Sequence, residues 1–178
     1  MPHLALSAIG RDRPGIVAAI SKVLLDHRCN VEDSTMSILR GHFTMMLIVS
    51  APESTDLQDL RAELDDVRAG LSLEGVSVSE VAEVADETAV ASHILTVYGA
   101  DHPGILHSVT AALAADQVDI VDLTTRVSGE ERNPLYAMIL EVAVPDGVDL
   151  DALQTELGRV CHEERVFFSL NELERDIL

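Results

Sequence analysis

The chain carries the same short phrase twice, and this duplication constrains its fold more than any other feature. Gly-x-Asp-x-Pro-Gly-Ile occupies residues 10–16 and returns at residues 99–105, an offset of 89 positions. Further matches stand at the same offset: Leu6 with Leu95, Leu24 with Leu113, Asp33 with Asp122 and Thr35 with Thr124. Self-similarity at one fixed offset over this length indicates a duplicated module. The sequence therefore predicts two small domains of similar fold.

Hydrophobic periodicity predicts the same order of elements in both copies. In the first copy we expect strands at 4–9, 31–39, 42–50 and 73–84, with helices at 14–28 and 56–69. In the second we expect strands at 93–98, 119–128, 135–144 and 165–171, with helices at 103–117 and 149–162. This βαββαβ order predicts two tandem ferredoxin-like α+β domains, each with both helices on one face of an antiparallel sheet. The expected boundaries are residues 1–84, an acidic linker at 85–91, and residues 92–178.

The third strand of each copy is apolar on both of its faces. Apolar residues occupy nearly every position of 43–49 in the first copy and of 135–142 in the second. A sheet face in contact with water should instead alternate apolar with polar residues. We therefore expect the other copy or another chain to cover the second face of each sheet, with a homodimer as the expected assembly.

Local chemistry predicts how the helices begin. Pro14 suits the first turn of a helix, where its missing N–H has no partner in any case. Asp12 is expected to accept from a free first-turn N–H or to favour the positive helix end, and Gly15 to make room for a close neighbour. Thr55 and Gln58 are spaced as a capping box for the second helix.

Composition excludes several classes of function. The net charge is −19, and the 12 basic residues form no cluster, which argues against binding of DNA or RNA. No apolar run approaches the roughly 18 residues of a spanning helix, which argues against membrane insertion. The first residues lack the pattern of a secretory signal, so a cytoplasmic location is expected. An acidic surface is compatible with a basic protein partner.

The sequence offers no pattern typical of catalysis. It contains no Gly-x-Ser-x-Gly, no His-Glu-x-x-His and no Gly-rich phosphate loop. Cys29 and Cys161 stand far apart and are expected to be buried apolar thiols rather than a disulfide or metal ligands. Because the two modules use up the chain, we expect no enzymatic activity, no metal and no cofactor.

The repeated phrase has two interpretations. It can be a plain connection from a strand to a helix. Alternatively, it can form a binding notch in which free helix amides receive a carboxylate and Asp12 receives an ammonium group. A free amino acid carries both of these groups.

The element order, the Asp-x-Pro-Gly-Ile lead into the first helix, and Asn30-Val31, sixteen residues past Pro14, together resemble the ACT domain. This is a small regulatory module found on amino-acid biosynthetic enzymes. The resemblance covers nearly the whole chain, twice, and a free-standing pair is similar to stand-alone tandem ACT proteins. It implies an amino acid bound between two paired modules, held by the loop of one and a strand-start Asn of the other.

Carried over by position, the resemblance implies two sets of ligand-binding residues. The first copy contributes Asp12, Arg13, Pro14, Gly15, Ile16, Asn30 and Val31. The second contributes Asp101, His102, Pro103, Gly104, Ile105, Asp119 and Ile120. Asp119 departs from the pattern, because an ionised carboxylate only accepts hydrogen bonds and repels a ligand carboxylate. If unlike copies pair, Asp101 with Asn30 makes the better site, while Arg13 and His102 either add a cation near the ligand or face solvent.

Three classes of function follow from this resemblance. The first is an amino-acid-responsive regulator that acts through a protein partner such as a transcription activator, in the control of glycine or other amino-acid metabolism. The second is a detached regulatory subunit of an amino-acid metabolic enzyme. The third is a structural interaction module without a ligand. Ligand binding to the native state raises stability, so a thermal-shift screen separates the first two classes from the third.

Overall fold

Each half of the chain folds into the βαββαβ unit that its periodicity predicts. The computed structural model describes residues 2–81, 89–130 and 133–173. It divides the chain into two compact units, Met1–Asp86 and Glu87–Leu178. Most of the predicted linker at residues 85–91 lies outside the described residues.

The two units have equivalent sheets. The first contains β1 (His3–Arg11), α1 (Ile16–Asp26), β2 (Asn30–Leu39), β3 (His42–Ser50), α2 (Leu57–Leu71) and β4 (Leu73–Val81). The second contains β5 (His93–Ala100), α3 (Ile105–Ala115), β6 (Asp119–Glu130), β7 (Asn133–Ala143), α4 (Leu150–Glu163) and β8 (Val166–Glu172). The sheet orders are β2-β3-β1-β4 and β6-β7-β5-β8, with antiparallel neighbours throughout. This correspondence confirms the duplicated ferredoxin-like α+β fold.

One hydrophobic core in each unit joins the helices to the sheet. In α1 the buried residues are Ile16, Ile20, Val23 and Leu24, a single helical stripe. They pack with Leu60 and Leu64 of α2 and with the alternate apolar residues of the central strands. Burial of one such side chain stabilises the fold by roughly 1.5–3 kcal/mol, so these stripes decide which face of each helix meets the sheet.

The face of each sheet away from its helices carries exposed apolar side chains. Met46 on β3 is 50% exposed, whereas its neighbours Met45 and Leu47 are buried. On the second sheet the Tyr98 and Phe167 rings stack with centroids 5.4 Å apart, although 47% and 66% of these residues are exposed. The alternation shows why β3 and β7 are apolar on both sides: one side fills the core, and the other forms an open apolar surface.

The first helix of each unit begins later than predicted. Gly15 has a left-handed φ of 96° and is the N-cap, since its carbonyl accepts the Ala19 N–H at 2.9 Å. Pro14 therefore lies outside α1, and its predicted place in the first turn is wrong. The prediction that Asp12 caps α1 is also wrong. Its own N–H is bonded to the Gly41 carbonyl at 2.9 Å, and no side chain caps α1 within the described part of the chain.

The predicted capping box at the second helix is wrong as well. Asp56, not Thr55, is the N-cap of α2, and its carboxylate accepts the N–H groups of Gln58 at 2.8 Å and Asp59 at 3.3 Å. Asp149 caps α4 in the same way. An extended backbone at Asp56, with φ −78° and ψ 108°, aims this short side chain at the first free amides.

Both cysteines are free thiols; Cys161 is buried, and Cys29 is half-buried against the core of the first unit. Burial, with a smaller contribution from the Glu164 charge, raises the pKa of Cys161 to about 11. Burial also raises the pKa of Cys29 above its usual value. Both groups therefore stay protonated at neutral pH, which agrees with their expected role as small apolar residues. Among the described residues, no helix combines the length and apolar character needed to cross a membrane.

The first glycine of the repeated phrase is required by packing between strands. A Cβ atom at Gly10 would lie 2.9 Å from the Leu73 Cα, and the β1–β4 register shifts between Ile9 and Gly10. A Cβ atom at Gly99 would lie 3.1 Å from the Val166 Cα. Both contacts involve backbone atoms, which cannot rotate away. This glycine therefore allows the last strand of each unit to approach the first.

We expect Gly10→Ala to lower the free energy of unfolding by about 1–3 kcal/mol, because the added methyl group forces β1 and β4 apart. Gly70→Ala in α2 is the matched control, since its methyl group would meet no atom within 4 Å. That control should raise the free energy of unfolding by roughly 0.4–1 kcal/mol. Urea denaturation measures both changes. Equal stability of Gly10→Ala and the unmodified chain would contradict the packing role of Gly10.

Candidate functional site

The loop between β1 and α1 presents free backbone amides to open space. Asp12, Arg13, Pro14 and Gly15 are exposed. The first N–H groups of α1 have no acceptor within the helix, no side chain of the described residues caps them, and the first turn holds no acidic residue. A Cβ atom at Gly15 would meet nothing within 4 Å, so the expected close neighbour is absent there. Gly15 instead supplies the left-handed φ, and the resulting opening can accept a small anion.

Ile16 contributes to this loop through its backbone alone. Its side chain is 1% exposed and belongs to the core of the first unit, and Ile105 is equally buried in the second. The repeated Ile of the phrase is therefore an anchor that holds the first turn of each helix against the sheet. Its N–H, one residue past the N-cap glycine, remains directed out of the helix end.

The equivalent loop of the second unit has the same backbone. Gly104 has φ 112°, and its carbonyl accepts the Ser108 N–H at 2.9 Å. The Asp101 N–H donates to the Pro134 carbonyl at 3.0 Å, as the Asp12 N–H does to Gly41. Pro103 again lies outside the helix, which begins at Ile105. The duplicated phrase thus builds two loops of the same shape.

The side chains around the second loop differ from those around the first. The His102 Nε2 atom lies 2.6 Å from the Glu164 carbonyl oxygen, and its Nδ1 atom lies 3.1 Å from the Pro103 carbonyl oxygen. The ring thus contacts two backbone carbonyl groups, and the His102 side chain is 36% exposed. Hydrogen bonds to these two carbonyl groups raise the pKa of His102, and the bond to Glu164 has the larger effect. The negative charges of Glu164 and Asp101 raise it further.

The Glu164 side chain lies over the first turn of α3. The Ser108 hydroxyl donates to Oε1 at 2.5 Å, and Oε2 lies 3.7 Å from the His102 Nδ1 atom. A Cβ atom at Gly104 would lie 3.6 Å from each carboxylate oxygen. The Glu164 side chain is 22% exposed. A carboxylate of the chain therefore occupies the space beside Gly104 that is open beside Gly15.

Sequence reasoning missed both Glu164 and Ser108, although the repeat contains the information needed to find them. Asp56 and Asp149 cap equivalent helices, and this alignment places Glu164 at the position of Leu71. The alignment of the two loops places Ser108 at the position of Ala19. Where the first copy has two apolar side chains, the second has a carboxylate and a hydroxyl. This paired difference indicates that the carboxylate and the hydroxyl contact each other.

The strand-start residues lie apart from the loops within each unit. Asn30 is the first residue of β2 and Asp119 the first of β6, beyond the far ends of α1 and α3. These helices have 11 residues each, so roughly 16 Å of helix separates loop from strand start. One small ligand cannot reach both groups in a single unit.

The four residues at the strand starts have different surroundings. Asn30 and Asp119 are exposed, and the Asp119 carboxylate accepts the N–H of Ile120 at 3.0 Å. Val31 is exposed, whereas Ile120 is half-buried against the core of the second unit. The side-chain amide of Asn30 can both donate and accept a hydrogen bond, whereas ionised Asp119 can only accept.

Away from the two loops, three potential metal ligands lie close together among the described residues. Ligand atoms of His27, Asp59 and Glu63 lie within 4.8 Å of one another, where the C-terminal end of α1 meets α2. The His27 Nε2 atom lies 3.4 Å from the Glu63 Oε1 atom, and the His27 side chain is 12% exposed. This contact between the two helices accounts for the position of the imidazole.

Comparison with known proteins decides what the two units are. A match to the ACT domain covers residues 3–75, and a second ACT-domain match covers residues 93–162. The chain belongs to the ACT-domain family. Its two ACT domains coincide with the two βαββαβ units, and the repeated phrase is the loop before the first helix of each.

The chain resembles full-length regulatory proteins more completely than it resembles enzymes. The glycine cleavage system transcriptional repressor of Escherichia coli is 25% identical over 177 residues, which cover 95% of this chain and 89% of the repressor. The phosphoserine phosphatase of Mycobacterium tuberculosis is 29% identical over 166 residues, or 90% of this chain but 38% of the phosphatase. The solved structure of an unknown protein from Galdieria sulphuraria superposes with a TM-score of 0.77 and 30% identity, covering 97% and 98% of the two chains.

We expect His102→Gln to reduce stability more at acidic than at alkaline pH. The pKa of His102 is raised in the folded state, so its proton stabilises the fold fully below the unfolded histidine pKa of about 6.5. That contribution is lost as pH rises through the folded value. Urea denaturation at about pH 5.5 and about pH 8.5 measures the difference. Arg13→Gln, at the equivalent exposed position, is the control and should behave alike at both values. A His102→Gln effect that is the same at both would contradict this assignment.

Proposed function

We propose that the chain is a non-catalytic, amino-acid-responsive regulatory protein that binds a small amino acid at an ACT-domain loop and acts through contacts with a protein partner. The observation that carries this proposal is the open loop at Gly15, where no side chain of the described residues caps α1 and a Cβ atom would meet nothing within 4 Å. The similarity to a transcriptional repressor over 95% of the chain supports a role in the transcriptional control of glycine or other amino-acid metabolism.

The chemistry of the loop suits an amino acid. The N–H groups of Ile16 and Val17 and the positive end of the α1 dipole favour the ligand carboxylate. The Asp12 carboxylate, exposed in the same loop, favours the ammonium group. Asn30 of a paired ACT domain supplies the third contact in this proposal, because its amide can donate to the carboxylate. A small side chain on the ligand suits a loop that is formed by backbone.

Pairing of ACT domains through their open sheet faces is the proposed assembly, with a homodimer as the simplest form. Met46 on β3 and the Tyr98–Phe167 stack on β5 and β8 are exposed apolar groups. Their removal from water would stabilise the paired domains. The net charge of −19 favours a protein partner with a basic surface over a nucleic acid.

A second candidate is a detached regulatory subunit that binds an amino-acid metabolic enzyme. The similarity to the phosphoserine phosphatase favours it, because the matching region spans 38% of that protein, and the remainder lies outside the match. A module that has lost ligand binding and serves interaction alone is the third candidate.

A thermal-shift screen against each standard amino acid at millimolar concentration tests the proposal. We expect one or a few small amino acids to raise the melting temperature, since a ligand at a hundred times its Kd adds about 2.7 kcal/mol of stability. The absence of any shift would exclude the first two candidates and leave the interaction module without a ligand. A pull-down in the presence of the stabilising amino acid then separates a transcription regulator from an enzyme subunit as the partner.

We expect Gly15→Val to abolish the thermal shift, because its side chain would occupy the opening beside the α1 amides. The substitution also strains a left-handed φ of 96°, so a control with the same strain is needed. Gly147→Val supplies it, with φ 95° and no atom within 4 Å of the new Cβ. The control should keep its ligand response, and circular dichroism should show folded protein for both variants. Wild-type affinity in Gly15→Val would place the ligand elsewhere.

A further inference from the structure

We infer that Glu164 takes the place of a ligand carboxylate in the second ACT domain, so that each chain has one loop open to an amino acid, that at Gly15. The inference rests on the proposed function, which identifies these loops as ligand sites. It goes beyond that function by assigning different roles to two loops of the same backbone.

The Glu164 carboxylate lies beside the start of α3, although no side chain of the described residues accepts a first-turn amide of this helix. The carboxylate lies beside the N-cap Gly104, with both oxygens 3.6 Å from a Cβ atom built there, and it accepts the Ser108 hydroxyl at 2.5 Å. An incoming carboxylate would have to displace this group or stand next to a like charge. The loop therefore excludes the group by which its counterpart in the first domain is proposed to recognise an amino acid.

Contacts on either side hold Glu164 at this position. Glu164 directly follows α4, and its N–H donates to the Val160 carbonyl at 3.0 Å. Its carbonyl oxygen lies 2.6 Å from the His102 Nε2 atom. The Glu164 backbone is thus held by His102 of the loop, and the Glu164 side chain by Ser108 in the first turn of α3. This double attachment distinguishes the residue from a surface glutamate whose side chain is free to rotate.

The first domain lacks every component of this contact. The residues that replace Glu164, Ser108 and His102 are Leu71, Ala19 and Arg13. Leu71 packs partly into the core of its unit, Ala19 has no hydroxyl, and Arg13 is exposed. The carboxylate, its hydroxyl donor and its imidazole neighbour are present together in one copy and absent together from the other. This joint presence and absence indicates that the contact is specific to the second loop.

The first residues of β2 and β6 also differ in charge between the two domains. The first domain has Asn30 and the second has Asp119, so the second lacks the amide donor and gains a further carboxylate. Each strand start lies far from the loop of its own unit, so its charge acts on the loop of a paired domain. If like copies pair, Asp119 stands against the loop at Gly104 and makes that loop less favourable to an anion. Binding of an amino acid should then depend on the loop at Gly15 and be insensitive to the loop at Gly104.

Acetate tests the state of each loop without requiring the amino-acid ligand to be known. In nitrogen–proton NMR spectra of the full chain, sodium acetate should shift the amide signals of the first turn after Gly15 and leave those after Gly104 unchanged. Sodium chloride at equal ionic strength is the control for salt. In Glu164→Leu, which introduces the residue found at the equivalent Leu71, acetate should also shift the signals after Gly104. Glu164→Gln, similar in shape and able to bond Ser108 but without the charge, should admit acetate less readily than Glu164→Leu.

A reciprocal substitution tests the consequence for the amino acid. Leu71→Glu with Ala19→Ser transfers the contact to the first domain, and we expect it to weaken glycine binding in calorimetry by about tenfold or more, since like charges then meet. Leu71→Gln with Ala19→Ser is the uncharged control and should bind more tightly than the charged variant. The unmodified chain should bind one glycine.

The possible outcomes separate this inference from the proposed function. A response to acetate after Gly104 in the unmodified chain, or none in Glu164→Leu, would overturn the role of Glu164. Binding of two glycine molecules by the unmodified chain would overturn it as well. Absence of a thermal shift with every amino acid would instead overturn the proposed function, while the acetate spectra would still report whether Glu164 closes the second loop.

Discussion

A glycine in the left-handed conformation starts the first helix of each ACT domain, and the candidate site depends on this constraint. Because Gly15 and Gly104 have φ values of 96° and 112°, the chain leaves the strand and turns abruptly into α1 and α3. The preceding residues cannot continue the helix, and no side chain in the described part of the sequence caps either helix. The first amides of α1 are therefore available to an acceptor from outside the loop, whereas the Glu164 carboxylate lies beside the start of α3. The buried Ile that follows each glycine keeps this geometry rigid.

Duplication has produced two loops with one backbone and two kinds of surroundings. In the first domain the amides face open space, whereas in the second the Glu164 carboxylate lies against the same turn. The backbone geometry is set by the glycines and the core, and both copies retain these residues. The surroundings are set by side chains at the end of the second helix of each unit, which differ between the copies. A duplicated fold can thus keep its shape while the chemistry of its two loops diverges.

Much of the fold could be predicted from the repeat and from periodicity. All eight predicted strands and four helices occur in the predicted order; the apolar stripes of elements such as α1 and β3 fill the cores, whereas every residue of β2 is exposed. The predictions that were wrong concern helix starts at Pro14, Asp12 and Thr55. Propensity names residues that suit a helix start, but the backbone conformation of the neighbours decides which of them is used. Asp56 caps α2 in place of Thr55 because its own φ and ψ aim the carboxylate at the free amides.

The sequence by itself determined that the chain holds two copies of one domain, which residues fill each core, and that the same phrase precedes the first helix in both. These properties follow from the spacing of residues along the chain, because that spacing decides which apolar side chains can be buried on one side of a helix or strand. Only the tertiary structure decided that Glu164 reaches Gly104 and Ser108. Glu164 lies 56 residues from Ser108, and such contacts depend on how α4 and α3 pack together on one sheet.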